Sequence, residues 1–432
     1  MGKAEAAVVN ACRALLGAVF VFSGYVKAVD PLGTLYKLQD YAEAAGLAGV
    51  FPDWALTAGA VALSAAEFAI GVFLLLAMHR RAVSRAALAL MAAMTAVTLW
   101  VAVANPVADC GCFGDAVKLT NWQTLGKNIV LTAAAAAVAA RPGAMVRFLS
   151  RSNQWIAVNY TVLFILGTSA YCLYYLPVLD FRPYRIGAGI REGMEIPPGA
   201  PQPEFETTFV MEKDGVRREF TMDDYPDSTW TFVDSRTEQT AEGYVPPIQD
   251  FSLCTAGGED ITDSILDRKG CTLILAAPHI GEADDSNFGA IDQLCEYAAE
   301  RGFPFYGATA SGPAEIAKWR DLTGAEYPFL TADGVVLKTM VRSNPGLVLL
   351  KDGRVAGKWS HNGLPAPEEI DAVAQAPAPE PGTLWAKAAE LAAVFALPLA
   401  ALVLADRTWA WTRWLRNRKR DKKGKPTKTR QI

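Results

Sequence analysis

Apolar positions are concentrated at the two ends of the chain. Six stretches, roughly 8–26, 55–78, 83–104, 122–140, 155–178 and 384–405, are apolar over about the 20 residues that a helix needs to cross a bilayer. The second reads ALTAGAVALSAAEFAIGVFLLLAM; the fourth, WQTLGKNIVLTAAAAAVAA, is Ala-rich and the weakest. Between the fifth and sixth the pattern changes. ETTFVMEKDGVRREFTM alternates around Asp214-Gly215, a hairpin signal, and TWTFVDSRT adds a strand, so 203–243 reads as a small β insert. QDFSL, CTLILAAP, FPFYGATA and PFLTADG read as strands, and GLVLLKDGRVAGKWS as a strand pair turning at Asp352-Gly353. Residues 288–301, AEIAKWRDLTG and 367–375 have helical spacing. The Pro- and Gly-punctuated stretch 181–200 reads as a linker.

The expected fold is therefore multi-domain, an α-helical membrane bundle with an α/β soluble domain. The divisions fall at 1–145 (four helices), 146–180 (a fifth), 181–244 (linker and β insert), 245–376 (α/β domain), 384–405 (a sixth span) and 406–432 (a basic tail). SGYVKA lacks a small-x-small cleavage site, so the first stretch is expected to stay as a span. Lys and Arg set the orientation. His79, Arg80, Arg81 and Arg85 follow span two, Arg141, Arg147 and Arg151 follow span four, and the tail from Arg416 through Lys425, Lys428 and Arg430 follows span six. A chain with both termini inside puts all three groups in the cytoplasm. Segments 27–54, 105–121 and 180–383 then face outward, which in a bacterial inner membrane is the periplasm.

Composition sharpens this. The 432 residues are 51% hydrophobic and 20% charged, which excludes a disordered chain, a coiled coil and a small disulfide scaffold. In 181–383 acidic residues outnumber basic ones about two to one, so no nucleic-acid partner is expected; the lipid bilayer is.

Two of the seven cysteines stand apart. Cys110 and Cys112 lie in NPVADCGCFGDAVKLTNW, the outward loop between spans three and four. With Gly111 between them they can close a small strained ring, which is labile and suited to thiol exchange. A structural disulfide to another cysteine, or a soft-metal site with His79 or His279, are the other readings. Cys12 reads as a packed thiol in span one near the cytoplasmic side, and Cys172 lies in span five near the outer face. Cys254, Cys271 and Cys295 belong to the soluble domain, and a Cys254–Cys271 disulfide is plausible from their places at strand edges, although spacing does not fix connectivity. Glu67 is an ionisable group inside an apolar span, where charge is costly and needs a partner or a cavity. Lys27 and Arg13 are the candidate partners. A structural ion pair and a quinone or proton site at Glu67 and Lys27 both fit.

Resemblances extend the reading. The strand and helix order after 245 resembles the thioredoxin fold of the TlpA and peroxiredoxin type, and Asn344-Pro345 falls where that fold has its cis-proline. The place of the usual CxxC reads APHIGEADDSN, Ala277 to Asn287, with no cysteine and with His279 as a lone candidate ligand or base. SGYVKAVDPLG, Ser23 to Gly33, with Glu67, resembles DoxX-like membrane proteins, and DCGCFGD, Asp109 to Asp115, is similar to the CGCFG loop of MauE-like methylamine-utilisation proteins. These resemblances imply a four-helix bundle in the style of the quinone-linked thiol oxidases DsbB and VKOR, working beside a thioredoxin-like partner.

The expected function is a thiol/disulfide redox protein of the inner membrane, in which Cys110 and Cys112 are catalytic, periplasmic protein thiols are the partners and a membrane quinone is the acceptor. The alternative is a non-enzymatic anchor whose redox-inert thioredoxin-like domain binds an envelope protein. A transporter with Glu67 along its path is a third reading.

Overall fold

Helix α1 (Lys3–Val29) stops at Asp30-Pro31, a pair that closes one helix and opens the next. The Asp30 carboxylate accepts from the Gly33 amide at 2.9 Å. Pro31 sits in the first turn of α2 (Pro31–Ala44), where a missing N–H costs nothing. The computed structural model describes residues 2–107, 110–201, 204–213, 215–221, 224, 229–241, 243–380, 382 and 384–423. Asp109 of the cysteine loop, Asp214 of the hairpin turn, and Lys425, Lys428 and Arg430 of the tail lie outside the described residues.

The bundle continues with α3 (Asp53–Leu75), α4 (Arg80–Ala104), α5 (Asn121–Ala140) and α6 (Gln154–Tyr174). α1 and α3 run antiparallel and almost touch. A Cβ added at Gly24 would lie 2.4 Å from the Phe68 backbone nitrogen, and one at Gly71 would lie 2.6 Å from that of Val21. Small residues at a helix crossing let backbones approach and bring polar side chains within reach; here they put Glu67 against α1. α5 lies along α4, joined by Thr95–Thr132 hydroxyls at 2.7 Å and by Asn128 donating to Thr98 at 3.2 Å. Phe68, Phe164 and Phe395 knit α3 and α6 to the long C-terminal helix.

Among the described residues five helices are long and apolar enough to cross a membrane: Lys3–Val29, Asp53–Leu75, Arg80–Ala104, Arg151–Tyr174 and Leu384–Arg418. The expected span at 122–140 is α5, whose first turns carry Asn121, Gln123, Lys127 and Asn128 and lower its hydropathy.

After α6 come α7 (Ile190–Met194) and a three-stranded antiparallel sheet of order β2-β1-β3, built from β1 (Glu204–Lys213), β2 (Val216–Phe220) and β3 (Thr231–Ala241). The domain that follows runs α8 (Thr262–Leu266), β4 (Cys271–Ala276), α9 (Phe288–Glu300), β5 (Phe305–Thr309), α10 (Pro313–Thr323), β6 (Phe329–Thr331), α11 (Gly334–Met340), β7 (Gly346–Lys351), β8 (Arg354–Ser360) and α12 (Pro367–Gln375). α13 (Leu384–Lys423) returns to the bundle. The sheet order is β6-β5-β4-β7-β8, parallel from β6 to β4 and antiparallel from β4 to β8. The central strand β4 is buried on both faces, Leu273 and Leu275 to one core, Ile274 and Ala276 to the other, as expected of a strand covered by helices on both sides.

Two expectations change. QDFSL is not a regular strand: Asp250 has φ of 54°, and only Cys254 bridges, to Asp260 and Thr331. Residues 181–200 are more than a linker. Tyr184 and Ile190 enter the core of the sheet domain, and Gly189 bridges to Arg354 of β8.

Candidate functional site

The loop between α4 and α5 folds back on the bundle. Gly111 (φ 62°) and Gly114 (φ 51°) supply the left-handed backbone that two sharp reversals require, and the Gly114 amide donates to the Gly111 carbonyl at 3.1 Å. Each cysteine is pinned through its own carbonyl. Tyr41 of α2 donates to the Cys110 oxygen at 2.7 Å, and Ser23 of α1 lies 2.8 Å from the Cys112 oxygen. Phe113 packs on Phe22, with the Lys127 ammonium 4.1 Å over its ring.

All seven cysteines are free thiols. Cys110 is buried and Cys112 half-buried, and the two side chains are hydrogen-bonded to each other. That bond lowers the Cys110 thiol to about 6; burial opposes the shift, and the Cys112 amide, the Lys127 charge and Thr124 add to it. The Cys112 thiol is pushed up, because its proton is committed to Cys110 and it is buried. The two sulfurs are thus unequal, Cys110 lowered and Cys112 raised.

Beneath the loop lies Glu67, 1% exposed. Lys27 donates to both of its oxygens, at 2.7 and 2.8 Å. The Ser23 hydroxyl lies 2.7 Å from Oε2, so one hydroxyl faces both the carboxylate and the Cys112 carbonyl. Of the two candidate partners Glu67 takes Lys27; Arg13 instead donates to the Val146 carbonyl at the other end of α1. Lys27 lines the cleft described next, whereas Glu67 does not, so Glu67 positions Lys27 and Ser23 rather than facing a ligand itself.

A cleft of about 650 Å³ opens over the cysteines, walled by α2, the end of α4 and α11 of the sheet domain. Its apolar side carries Leu63, Met94, Val97 and Trp100, and its floor carries Lys27, Cys110 and Cys112. Val97 and Trp100 are themselves exposed on the outside of α4, so the cleft is open toward the flank of the bundle. The roof is held by charge. Arg342 donates to both Asp30 oxygens and lies 3.5 Å from Asp115 of the cysteine loop. Arg342 and Lys338 both stack over Tyr36. Burial alone would raise the Asp30 carboxyl, but the Arg342 and Arg182 charges, with hydrogen bonds from Arg342 and the Gly33 amide, hold it below its ordinary value. Behind them Arg182 and Lys358 share Asp180, at 2.8 and 2.5 Å. Sequence reasoning missed α2, Tyr41 and Arg342. The Asp30-Pro31 cap signals the first; nothing local marks the other two.

The remaining candidates lie elsewhere. Cys254 pairs with Thr331, on the outer side of β6, while Cys271 begins β4. With β5 between, strand spacing separates them by roughly 14 Å, twice the reach of a disulfide, so the expected Cys254–Cys271 bridge does not form. The Asn344–Pro345 peptide is cis. His279 is exposed, with its carbonyl accepting from Asn344. His79 sits at the start of α4, a helix length from the cysteines. Among the described residues no three His, Cys, Asp or Glu side chains converge as a metal site.

These features sit within a recognisable segment. Residues 5–141 match the family described as methylamine utilisation protein MauE. The match takes in α1 to α5 and therefore both cysteines, Glu67 and Lys27. Residues 205–242, the three-stranded sheet, match a domain of unknown function. No curated protein matches the chain. One similar solved structure is a solution structure from Bacteroides thetaiotaomicron described as a candidate protein disulfide isomerase, 18% identical, covering 29% of this chain and 82% of its own, with a TM-score of 0.23. The chain thus joins a MauE-like multi-helix membrane segment to a sheet-containing region.

Proposed function

We propose that this protein is a membrane-embedded thiol–disulfide oxidoreductase working on protein thiols of the bacterial periplasm. The observation that carries the reading is the hydrogen-bonded Cys110–Cys112 pair on the floor of an open cleft, with the Cys110 thiol lowered by that bond. In the oxidising direction a client thiolate attacks the Cys110–Cys112 disulfide and forms a mixed disulfide. The client's second thiol then displaces the protein sulfur. The client leaves with a disulfide, and Cys110 and Cys112 are left as the dithiol, holding two electrons and two protons.

A quinone fits the cleft as the acceptor: Leu63, Met94, Val97 and Trp100 would hold its ring, with Lys27 beside the cysteines. When bound, such a group takes up two electrons and two protons. Lys27, Glu67 and Ser23 keep the Cys112 turn in place and exclude water from beneath it. The sheet order, parallel β6-β5-β4 and antiparallel β4-β7-β8, supports a thioredoxin-like reading of the soluble domain. Without a cysteine between Ala277 and Asn287, that domain serves as a redox-silent roof. The N-terminal segment is DoxX-like in this reading, with both termini cytoplasmic.

The test is to trap thiols with a mass-tagged maleimide in inner-membrane vesicles, with and without added quinone. Cys110 and Cys112 are expected to be blocked when quinone is present and labelled when it is depleted. A pair in the same state under both conditions removes the mechanism. If Cys110→Ser, Cys112→Ser leaves function intact while deletion of 245–375 abolishes it, the protein is the anchor of a binding domain.

A further inference from the structure

The end of the bundle opposite the cysteines holds a second concave site. α4 begins there at Arg80 and α6 at Gln154, and the segment 141–153 crosses between them. A pocket of about 690 Å³ is lined by His79, Arg80, Arg81, Arg147, Arg151 and Gln154, and no carboxylate lines it. Arg80 is fixed, donating to the carbonyls of Gly143 at 3.0 Å and Met145 at 2.7 Å. Arg81, Arg147 and Arg151 have no acidic partner among the described residues. Like charges gathered in a concave wall repel unless an anion joins them.

Two further observations point to a ligand. Gln154 is 5% exposed and lines the pocket, and its amide makes no hydrogen bond among the described residues, so its remaining accessible surface faces the pocket. His79, the N-cap of α4, makes no side-chain cap bond, so the first N–H groups of that helix, at Arg80 and Arg81, open on the pocket wall, an anion-binding feature; the start of α6 is already taken by the Asp406 carboxylate, which accepts from the Ser150 amide and hydroxyl and from Asn153. The rim decides the kind of anion. Val146, Phe148 and Trp155 are exposed beside the pocket, and apolar and aromatic side chains next to arginines at a helix-bundle end suit a headgroup with acyl chains.

We propose that this pocket binds the phosphate diester of an anionic phospholipid. Arg147 and Arg151 meet the phosphate charge, and Gln154 donates to one of its oxygens. The inference does not depend on the cysteine chemistry at the far end.

The test uses the full chain in nanodiscs of phosphatidylcholine, with or without phosphatidylglycerol, read by thermal melting and by native mass spectrometry of retained lipid. Phosphatidylglycerol is expected to raise the melting temperature and to be retained over phosphatidylcholine. Arg147→Gln, Arg151→Gln is expected to weaken retention by about tenfold or more. Cys110 labelling reports whether the variant is folded; if it is not, wild-type retention of phosphatidylglycerol against phosphatidylcholine decides. Equal retention of the two lipids, or unchanged retention in a folded variant, overturns the proposal. A full shift with inorganic phosphate alone also overturns it, by making the site one for a free anion.

Discussion

Arg342 grips Asp30 with three hydrogen bonds, Nε to both carboxylate oxygens at 3.0 and 3.1 Å and Nη2 to Oδ2 at 2.9 Å. The arginine belongs to the sheet domain and the aspartate to the joint between α1 and α2. The same guanidinium lies 3.5 Å from Asp115, two residues past Phe113. One side chain therefore ties the roof, the bundle and the cysteine loop together, and the fork of an arginine suits this better than a lysine ammonium would.

If Arg342 holds the roof, Arg342→Ala should open it. A bulky polyethylene-glycol maleimide is expected to label Cys110 and Cys112 faster in the variant, while a small maleimide changes less. Asp30→Asn should act in the same direction but more weakly, since an asparagine still caps Gly33. Equal rates for the bulky reagent in wild type and Arg342→Ala would show that the roof does not restrict access.

The two thiols should titrate separately. Alkylation of Cys110 is expected to reach half its maximal rate near pH 6, where its thiol lies, well below the ordinary thiol value of about 8.5. Cys112→Ala removes the largest cause, the donated hydrogen bond, and should move that midpoint upward. Mass spectrometry of the alkylated loop assigns each site. A wild-type midpoint near the ordinary value contradicts a lowered Cys110 thiol.

Lys27 and Glu67 are 5% and 1% exposed, and a buried pair reacts unequally to single and double change. Glu67→Gln strands the Lys27 charge and should cost about 3–5 kcal/mol, whereas replacing both partners with apolar residues is often nearly neutral. The expected order of melting temperatures in detergent is Glu67→Gln well below wild type, and Glu67→Leu with Lys27→Met close to it. A double variant as unstable as the single one would mean that the pair does more than satisfy itself.

Much of this was legible in the sequence, for physical reasons. The spans announce themselves by length and apolarity, β4 by its unbroken LIL core, and the hairpin at Gly215 by its turn chemistry. Glu67 stood out because charge is rare in an apolar helix, and Lys27 was within the range of partners. What escaped depends on distance in space. Arg342 is 312 residues from Asp30, and no local pattern marks a guanidinium that closes so long a loop. Cys254 and Cys271 looked like neighbours because both sit at edges of strands that follow one another in the chain; strand order, which the local pattern does not encode, put β6 and β5 between them.

The same reasoning applies to Asp180, which is shared by two cations. Burial would raise its carboxyl, but Arg182 and Lys358 outweigh this and hold it at about 2. Lys358 is lowered to about 8, first by burial and then by repulsion from Arg182, with Asp180 opposing. One anion faces two cations, so it compensates Lys358 only in part. On the alkaline side the unfolded lysine, near 10.4, binds more protons than the folded one, so stability rises with pH between about 8 and 10.4. On the acid side the unfolded aspartate titrates near 3.9, so its contribution is complete above about pH 4 and lost as pH falls toward 2. Lys358→Met should abolish the alkaline rise and keep the acid loss, because Arg182 still donates to Asp180 at 2.8 Å. The check is the difference in melting temperature between wild type and Lys358→Met across pH 7 to 10, which should shift steadily in favour of wild type; a constant difference would mean that Lys358 is protonated throughout.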